Sequence, residues 1–156
     1  MNALYYEDFA VGAEYVTRAR TVTECDVVLF AGLSGDFNAL HTDEEFGKQV
    51  GFGGRIAHGL LGLAIASGLL NQLGLTEGTA IAFLGLTWNF KGPIRMGDTI
   101  KVRVRVSDKR ETSKPDRGIV RTVDSVVNQR GEVVQEGELV VLVKRRATTD
   151  KHPVES

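Results

Sequence analysis

From about residue 84 onward, apolar and polar residues alternate with a period of two. In FLGLTWNFKG, Leu84, Leu86, Trp88 and Phe90 fall on one side. In DTIKVRVRVSD, Ile100, Val102, Val104 and Val106 point one way and Lys101, Arg103 and Arg105 the other. That alternation is the mark of a half-buried strand, because successive side chains leave opposite faces of the backbone. RGIVRTVDSVVNQ and EVVQEGELVVLVKRR are two further runs rich in β-branched residues. Turn residues separate them: MGD at 96–98, SKPDRG at 113–118 and NQRG at 128–131. The second half therefore predicts an antiparallel meander of long strands.

The first half has another rhythm. EYVTRARTV, residues 14–22, reads as a strand. Thr23 is placed to cap a helix, with Asp26 at the capping-box position as an acidic variant of the usual Glu or Gln. The helix is predicted over 24–33, with Val27, Val28 and Phe30 or Ala31 inward. SGDFNALH, residues 34–41, holds turn residues without a sustained period and reads as a loop. TDEEFGKQ predicts a short helix capped by Thr42 or Asp43, and VGFGGR a second loop. Residues 58–73 predict a helix that is apolar nearly all round, which implies burial on several sides. Gly62, Ala64, Ala66, Ser67 and Gly68 are scattered through it. Each helical glycine costs about 1 kcal/mol relative to alanine, so a close-packed neighbour is the expected compensation. A buried helix followed by long alternating strands predicts an α+β fold, an antiparallel sheet wrapped around one central helix. No internal repeat is visible. Residues 1–146 are expected to form a single domain, and the polar tail 147–156 to be frayed.

Composition narrows the class. A chain of 156 residues is most simply one domain and can bury a real core without a disulfide. A formal net charge of −1 gives no electrostatic motive for nucleic acid or an anionic membrane. The single cysteine, Cys25, is expected to be a quiet helix residue, and no Cys/His cluster has zinc-ligand spacing. MNALYYEDF is too polar for a signal peptide, and IAHGLLGLAIASGLL falls short of the roughly 20 residues of a span. These features lead to the expectation of a soluble, cytoplasmic protein.

Two of the three histidines sit beside glycine-containing turns, and their residues admit two readings. Asp36 and His41 are five apart, a spacing that would not share a helix face but allows convergence in a loop that folds back. Equally, Asp36 and Asn38 can be turn formers and His41 an exposed or capping residue. His58 and Gly59 stand where the apolar helix begins, and its unpaired N–H groups could hold a carbonyl gaining negative charge. Equally, His58 can cap the first turn and Gly59 can serve packing. Ser67, eight residues past Gly59, stays near the same helix face; a small residue at a helix–sheet contact would look the same. Trp88 reads as core or pocket wall. No G-x-S-x-G elbow supports a serine nucleophile, and GFGG at 51–54 lacks the context of a phosphate loop.

Taken together, Ser34, Gly35, Asp36, Asn38, Leu40 and His41, then Ile56, Ala57, His58, Gly59 and Leu60, resemble the paired motifs of the MaoC-like, or (R)-specific enoyl-CoA hydratase, family of hotdog-fold proteins. FLGLTWNFKGPIRMGDTIKV, with Phe90, Pro93, Gly97 and Asp98, is similar to the family's following segment. The resemblance spans residues 7–144. One departure is Ala39, where the family usually has proline, which bears on loop stiffness rather than on any reacting group. The resemblance implies Asp36 and His41 as the catalytic pair and the Gly59 N–H as oxyanion donor to the thioester carbonyl. It adds Ser67 as a pocket-lining hydrogen-bonding residue, with Asn38 and His58 in support of the loop. It also implies reversible hydration of a trans-2-enoyl thioester, with coenzyme A or an acyl carrier as part of the substrate and no metal or other cofactor. Homodimers pairing sheets edge to edge are implied as well. Two other functions share the fold and ligand: a hotdog acyl-CoA thioesterase and a non-catalytic acyl-CoA-binding domain.

Overall fold

The computed structural model describes residues 3–146; the expected tail at 147–156 lies outside the described residues. A short 3-10 turn at Tyr6–Asp8 leads to β1 (Glu14–Val16) and β2 (Arg20–Thr21). Four helices follow: α1 (Glu24–Ser34), α2 (Ala39–Thr42), α3 (Glu44–Gln49) and α4 (Gly59–Asn71). Four long strands complete the chain: β3 (Ala80–Phe90), β4 (Thr99–Glu111), β5 (Arg117–Val127) and β6 (Val133–Lys144). Among the described residues, no helix is long and apolar enough to cross a membrane.

The strands form one antiparallel sheet in the order β1-β4-β5-β6-β3, with β2 also paired to β4. The period-two reading holds on β4, where Ile100, Val102, Val104 and Val106 are all buried while Arg103 and Arg105 are exposed. The meander holds for β4, β5 and β6 only. β3 does not pair with β4, its neighbour in sequence, but lies beyond β6 at the far edge. The chain then crosses from β3 back to β4 through residues 91–98. That crossover passes beside the entry to α4, where the Ala57 N–H donates to the Ile94 carbonyl at 2.8 Å and Ile56 bridges to Arg95.

α4 packs on the apolar face of the sheet. Leu61, Ile65, Ala66 and Leu69 share a core cluster with Val102 and Val104 of β4, Val126 of β5 and Val134 of β6. Gly62 is buried there because a Cβ would overlap the Gln135 amide and Ile94. The expected burial on several sides is corrected: α4 buries one face, and Leu60, Ala64, Ser67 and Gly68 remain exposed on the other. α1 is capped as expected, with Thr23 accepting from the Asp26 N–H and the Asp26 carboxylate returning to the Thr23 N–H. Val27 and Ala31 are inward, but Val28 is exposed, since it falls on the side of α1 away from the core. The strand expected over 14–22 is divided into β1 and β2.

Candidate active site

The segment 34–42 is built from local caps. The Ser34 hydroxyl donates to the Phe30 carbonyl (2.7 Å) and accepts from the Asp36 N–H (3.2 Å). Gly35 closes α1 in a left-handed conformation, φ 77°, with its N–H on the Ala31 carbonyl. A side chain there would be strained, which explains a glycine at this point. Residues 39–41, expected as loop, form with Thr42 the single turn α2, because the Asn38 side chain accepts the Leu40 N–H at 3.0 Å and caps it. Ala39 is the first residue of that turn. Proline fits such a position because the N–H has no intrahelical partner there, so alanine removes no bond.

α2 turns His41 inward. The Ile56 N–H donates to the Leu40 carbonyl (3.0 Å), and the His41 Nδ1–H donates to the Ile56 carbonyl (2.8 Å). A carbonyl can only accept, so Nδ1 carries hydrogen and Nε2 is the nitrogen left to exchange a proton. His58 is 2% exposed, and its Nε2–H donates to the backbone carbonyl of Asp36 at 2.9 Å. Its ring stacks on His41, centroids 3.8 Å apart, and meets Phe30 at 5.0 Å. His58 therefore does not cap α4 with its side chain; it ties the 36–38 loop to the helix entry. A carboxylate oxygen of Asp36 and one ring nitrogen each of His41 and His58 lie within 4.8 Å of one another. Asp36 itself is exposed, with Oδ1 accepting from the Asn38 N–H at 3.2 Å. One ring nitrogen of each histidine is committed to a carbonyl, which leaves the other nitrogen of each free to accept a proton or a cation.

Gly59 opens α4, so its N–H belongs to the first turn, which lacks intrahelical acceptors. A Cβ at this position would lie 2.8 Å from the Phe90 ring, so the close approach of β3 requires glycine. Sequence reasoning missed what fixes it. The Gly59 carbonyl accepts from Gln135 Nε2 (2.9 Å), and Gln135 Oε1 accepts from the Trp88 indole N–H (3.0 Å). Gln135 is 2% exposed; its signal was a polar residue inside the apolar run of β6.

A cavity of about 850 Å³ runs along the open side of α4 against the sheet, and Asp36, His41, His58 and Gly59 are not among its walls. Phe30, Leu60, Leu63, Ser67, Trp88 and Asp124 are among its walls. Ser67 thus faces the cavity from the open side of α4, and Trp88 is a wall residue, as expected. The structure brings Asp36, His41, Asn38, His58 and Gly59 into one locality, with Ser67 about two turns further along α4.

Residues 8–128 match the family described as MaoC like domain. The 3-hydroxybutyryl-CoA dehydratase of Methylorubrum extorquens is 33% identical over 150 residues, 96% of this chain and 90% of that protein. The (R)-specific enoyl-CoA hydratase of Rhodospirillum rubrum is 34% identical, covering 91% of this chain and 93% of that protein. The crystal structure of a MaoC-like dehydratase from Rhodospirillum rubrum superposes with a TM-score of 0.80 at 33% identity, over 93% of this chain and 99% of that one. A double-hotdog protein of Mycobacterium tuberculosis, at 20% identity, shares the fold with a TM-score of 0.79 over 97% of this chain and 46% of that one. The chain belongs to the MaoC-like dehydratase family, hydro-lyases built on the hotdog fold.

Proposed function

We propose that this protein catalyses the reversible addition of water to a trans-2-enoyl thioester, giving a 3-hydroxyacyl thioester, with Asp36 and His41 as the acid–base pair. The observation that carries this reading is the approach of the Asp36 carboxylate to the His41 ring beside the amino end of α4. A water held between them loses a proton as its oxygen bonds to Cβ. The C=C pair moves toward the thioester, and charge builds on the carbonyl oxygen as an enolate. The Gly59 N–H, at the positive end of α4, is placed to receive that oxygen. A proton delivered to Cα by the same pair then completes the addition, so the atoms of water are all accounted for. Positioned proton transfer contributes about 10²–10⁴-fold in rate. The Ile56 carbonyl fixes the His41 ring, and Asn38 and His58 hold the loop. Coenzyme A or an acyl carrier enters as part of the substrate, and the reaction as written calls on no metal or prosthetic group.

We also propose that the protein works as a homodimer paired through β3. This edge strand carries no charged residue from Ala80 to Phe90, and Phe83, Leu84 and Phe90 are about half or more exposed. Long uncharged edges invite pairing. The absorbance of the conjugated enoyl thioester tests the function: it should fall on mixing crotonyl-CoA with the protein. Release of free thiol without 3-hydroxy product would point to thioester hydrolysis instead and contradict the reading.

A further inference from the structure

His41 is held by one hydrogen bond, from Nδ1–H to the Ile56 carbonyl. A single bond anchors one ring atom and leaves the ring plane loose, because the terminal torsion of a histidine is broad. The plane is set by His58, whose ring stacks on His41 with centroids 3.8 Å apart and 29° between the planes. Phe30 of α1 backs His58 from 5.0 Å, tilted by 58°. The same His58 ring holds the other member of the pair, because its Nε2–H donates to the main-chain carbonyl of Asp36 at 2.9 Å. Little else fixes Asp36: it is exposed, and among the described residues its carboxylate accepts only from the Asn38 N–H. His58 Nδ1, the nitrogen left unbonded, is shut off from solvent, so in the folded protein the ring acts by contact. The peptide that follows His58 carries the Gly59 N–H. Its carbonyl accepts the Gly62 N–H at 3.2 Å as the first bond of α4. The N–H and C=O of a trans peptide point opposite ways, so that bond directs the Gly59 N–H out of the amino end of the helix.

We propose that His58 is the positioning residue that registers the acid–base pair to the oxyanion donor. Its ring fixes the plane of His41 and the main chain of Asp36, and its own peptide carries the Gly59 amide. This role rests on the hydratase reading of the site and goes beyond support of the loop. Hydration needs the water, both reacting carbons and the thioester oxygen met at once by groups from three places in the chain: the loop after α1, the turn α2 and the start of α4. One residue in contact with all three removes the relative motion between them. Misplacing a reacting group by about 1 Å costs on the order of 100-fold in rate, so loss of either ring contact is read in kcat.

Two variants separate the two ring contacts. His58→Phe keeps a flat ring against His41 and loses the donor to the Asp36 carbonyl. His58→Gln keeps an amide N–H for that carbonyl and loses the stack. Hydration of 2-enoyl-CoAs of several chain lengths, melting temperature and nitrogen NMR of the histidine side chains are compared with wild type. Each folded variant should lower kcat by about 10- to 100-fold with KM nearly unchanged. At high pH the wild-type His41 ring should show a single form with hydrogen on Nδ1, and His58→Gln should add the other tautomer as the ring is freed to flip. Phe30→Leu, which withdraws the ring behind His58 and touches neither hydrogen bond, should lower kcat by a smaller factor. Wild-type kcat in either folded His58 variant, or a loss confined to KM or to melting temperature, overturns the role. If neither His58 variant folds, Phe30→Leu decides, and an unchanged kcat there overturns it. A wild-type protein that hydrates no enoyl-CoA would remove the hydratase reading, while one His41 form in wild type against two in His58→Gln would keep the positioning. Hydration by wild type with unaltered kcat in the variants would do the reverse.

Discussion

Asp124 sets a dependence of stability on pH. Burial raises its folded-state pKa to about 6, above the 3.8 of the free group, so the folded chain keeps this proton to higher pH than the unfolded chain. Well below pH 3.8 both forms are protonated and no penalty applies. As pH rises through 4 to 6 the unfolded form ionises first, and stability is lost. The loss is complete above the folded pKa, where two pK units amount to about 3 kcal/mol. Asn cannot ionise, so the stability gap between Asp124→Asn and wild type should widen by up to about that amount between acid and neutral pH, read by urea unfolding at both. A gap that does not change with pH would mean that Asp124 is solvated or paired. Other acids work in the opposite sense. Burial raises the pKa of Asp98, but the Gln129 amide, the Arg95 N–H and Arg130 outweigh it and hold the carboxyl below its ordinary range. That contribution is present above the unfolded pKa and is lost in acid. Asp124 was legible as an inward residue, since it falls in the alternation Val120, Thr122, Asp124, Val126. That its carboxylate is buried without a hydrogen-bond partner among the described residues was not legible, because the strands that cover it are distant in sequence.

α4 is the element on which the site depends. Two of its three glycines are explained by what approaches them, Phe90 at Gly59 and Gln135 with Ile94 at Gly62, whereas a Cβ at Gly68 would meet nothing within 4 Å. The sequence signal was an apolar helix dotted with small residues, which announces close neighbours correctly at Gly59 and Gly62 but not at the exposed Gly68. It could not divide the helix between a sheet-facing stripe and a cavity-facing stripe, because both are apolar. The capping box of α1 and the turn residues of 34–38 were legible because they act over three or four residues. The hydrogen-bonded series Trp88, Gln135, Gly59 was not, since it joins β3, β6 and α4 across 76 positions. Gln135→Leu should leave the Trp88 N–H without a partner, at about 1–3 kcal/mol, and remove the second bond to the Gly59 carbonyl, which keeps its acceptor bond within α4. A helix entry released from that anchor should lower kcat by about 10- to 100-fold, with KM much less affected. Equal loss in KM with kcat preserved would mean that Gln135 serves binding and not alignment.

For the molecule as a whole, the exchange of strand order matters most. Period and turn residues specify strands but not neighbours, so β3 was expected beside β4 and is found beyond β6. That placement leaves an uncharged edge and draws the crossover 91–98 against residues 56–57, where it fastens the histidine-bearing segments. If the edge is a dimer seam, Leu84→Lys, a change on β3 outside the cavity wall, should convert a dimer to a monomer in light scattering; an unchanged mass would place the seam elsewhere. The central claim is that one carboxylate and one imidazole at the mouth of α4 move protons for hydration, and the rate of crotonyl-CoA hydration tests it most directly. Asp36→Asn and His41→Ala should each lower that rate by about 10²–10⁴-fold while the circular dichroism and melting temperature stay near wild type. Near-normal turnover in either folded variant would contradict it.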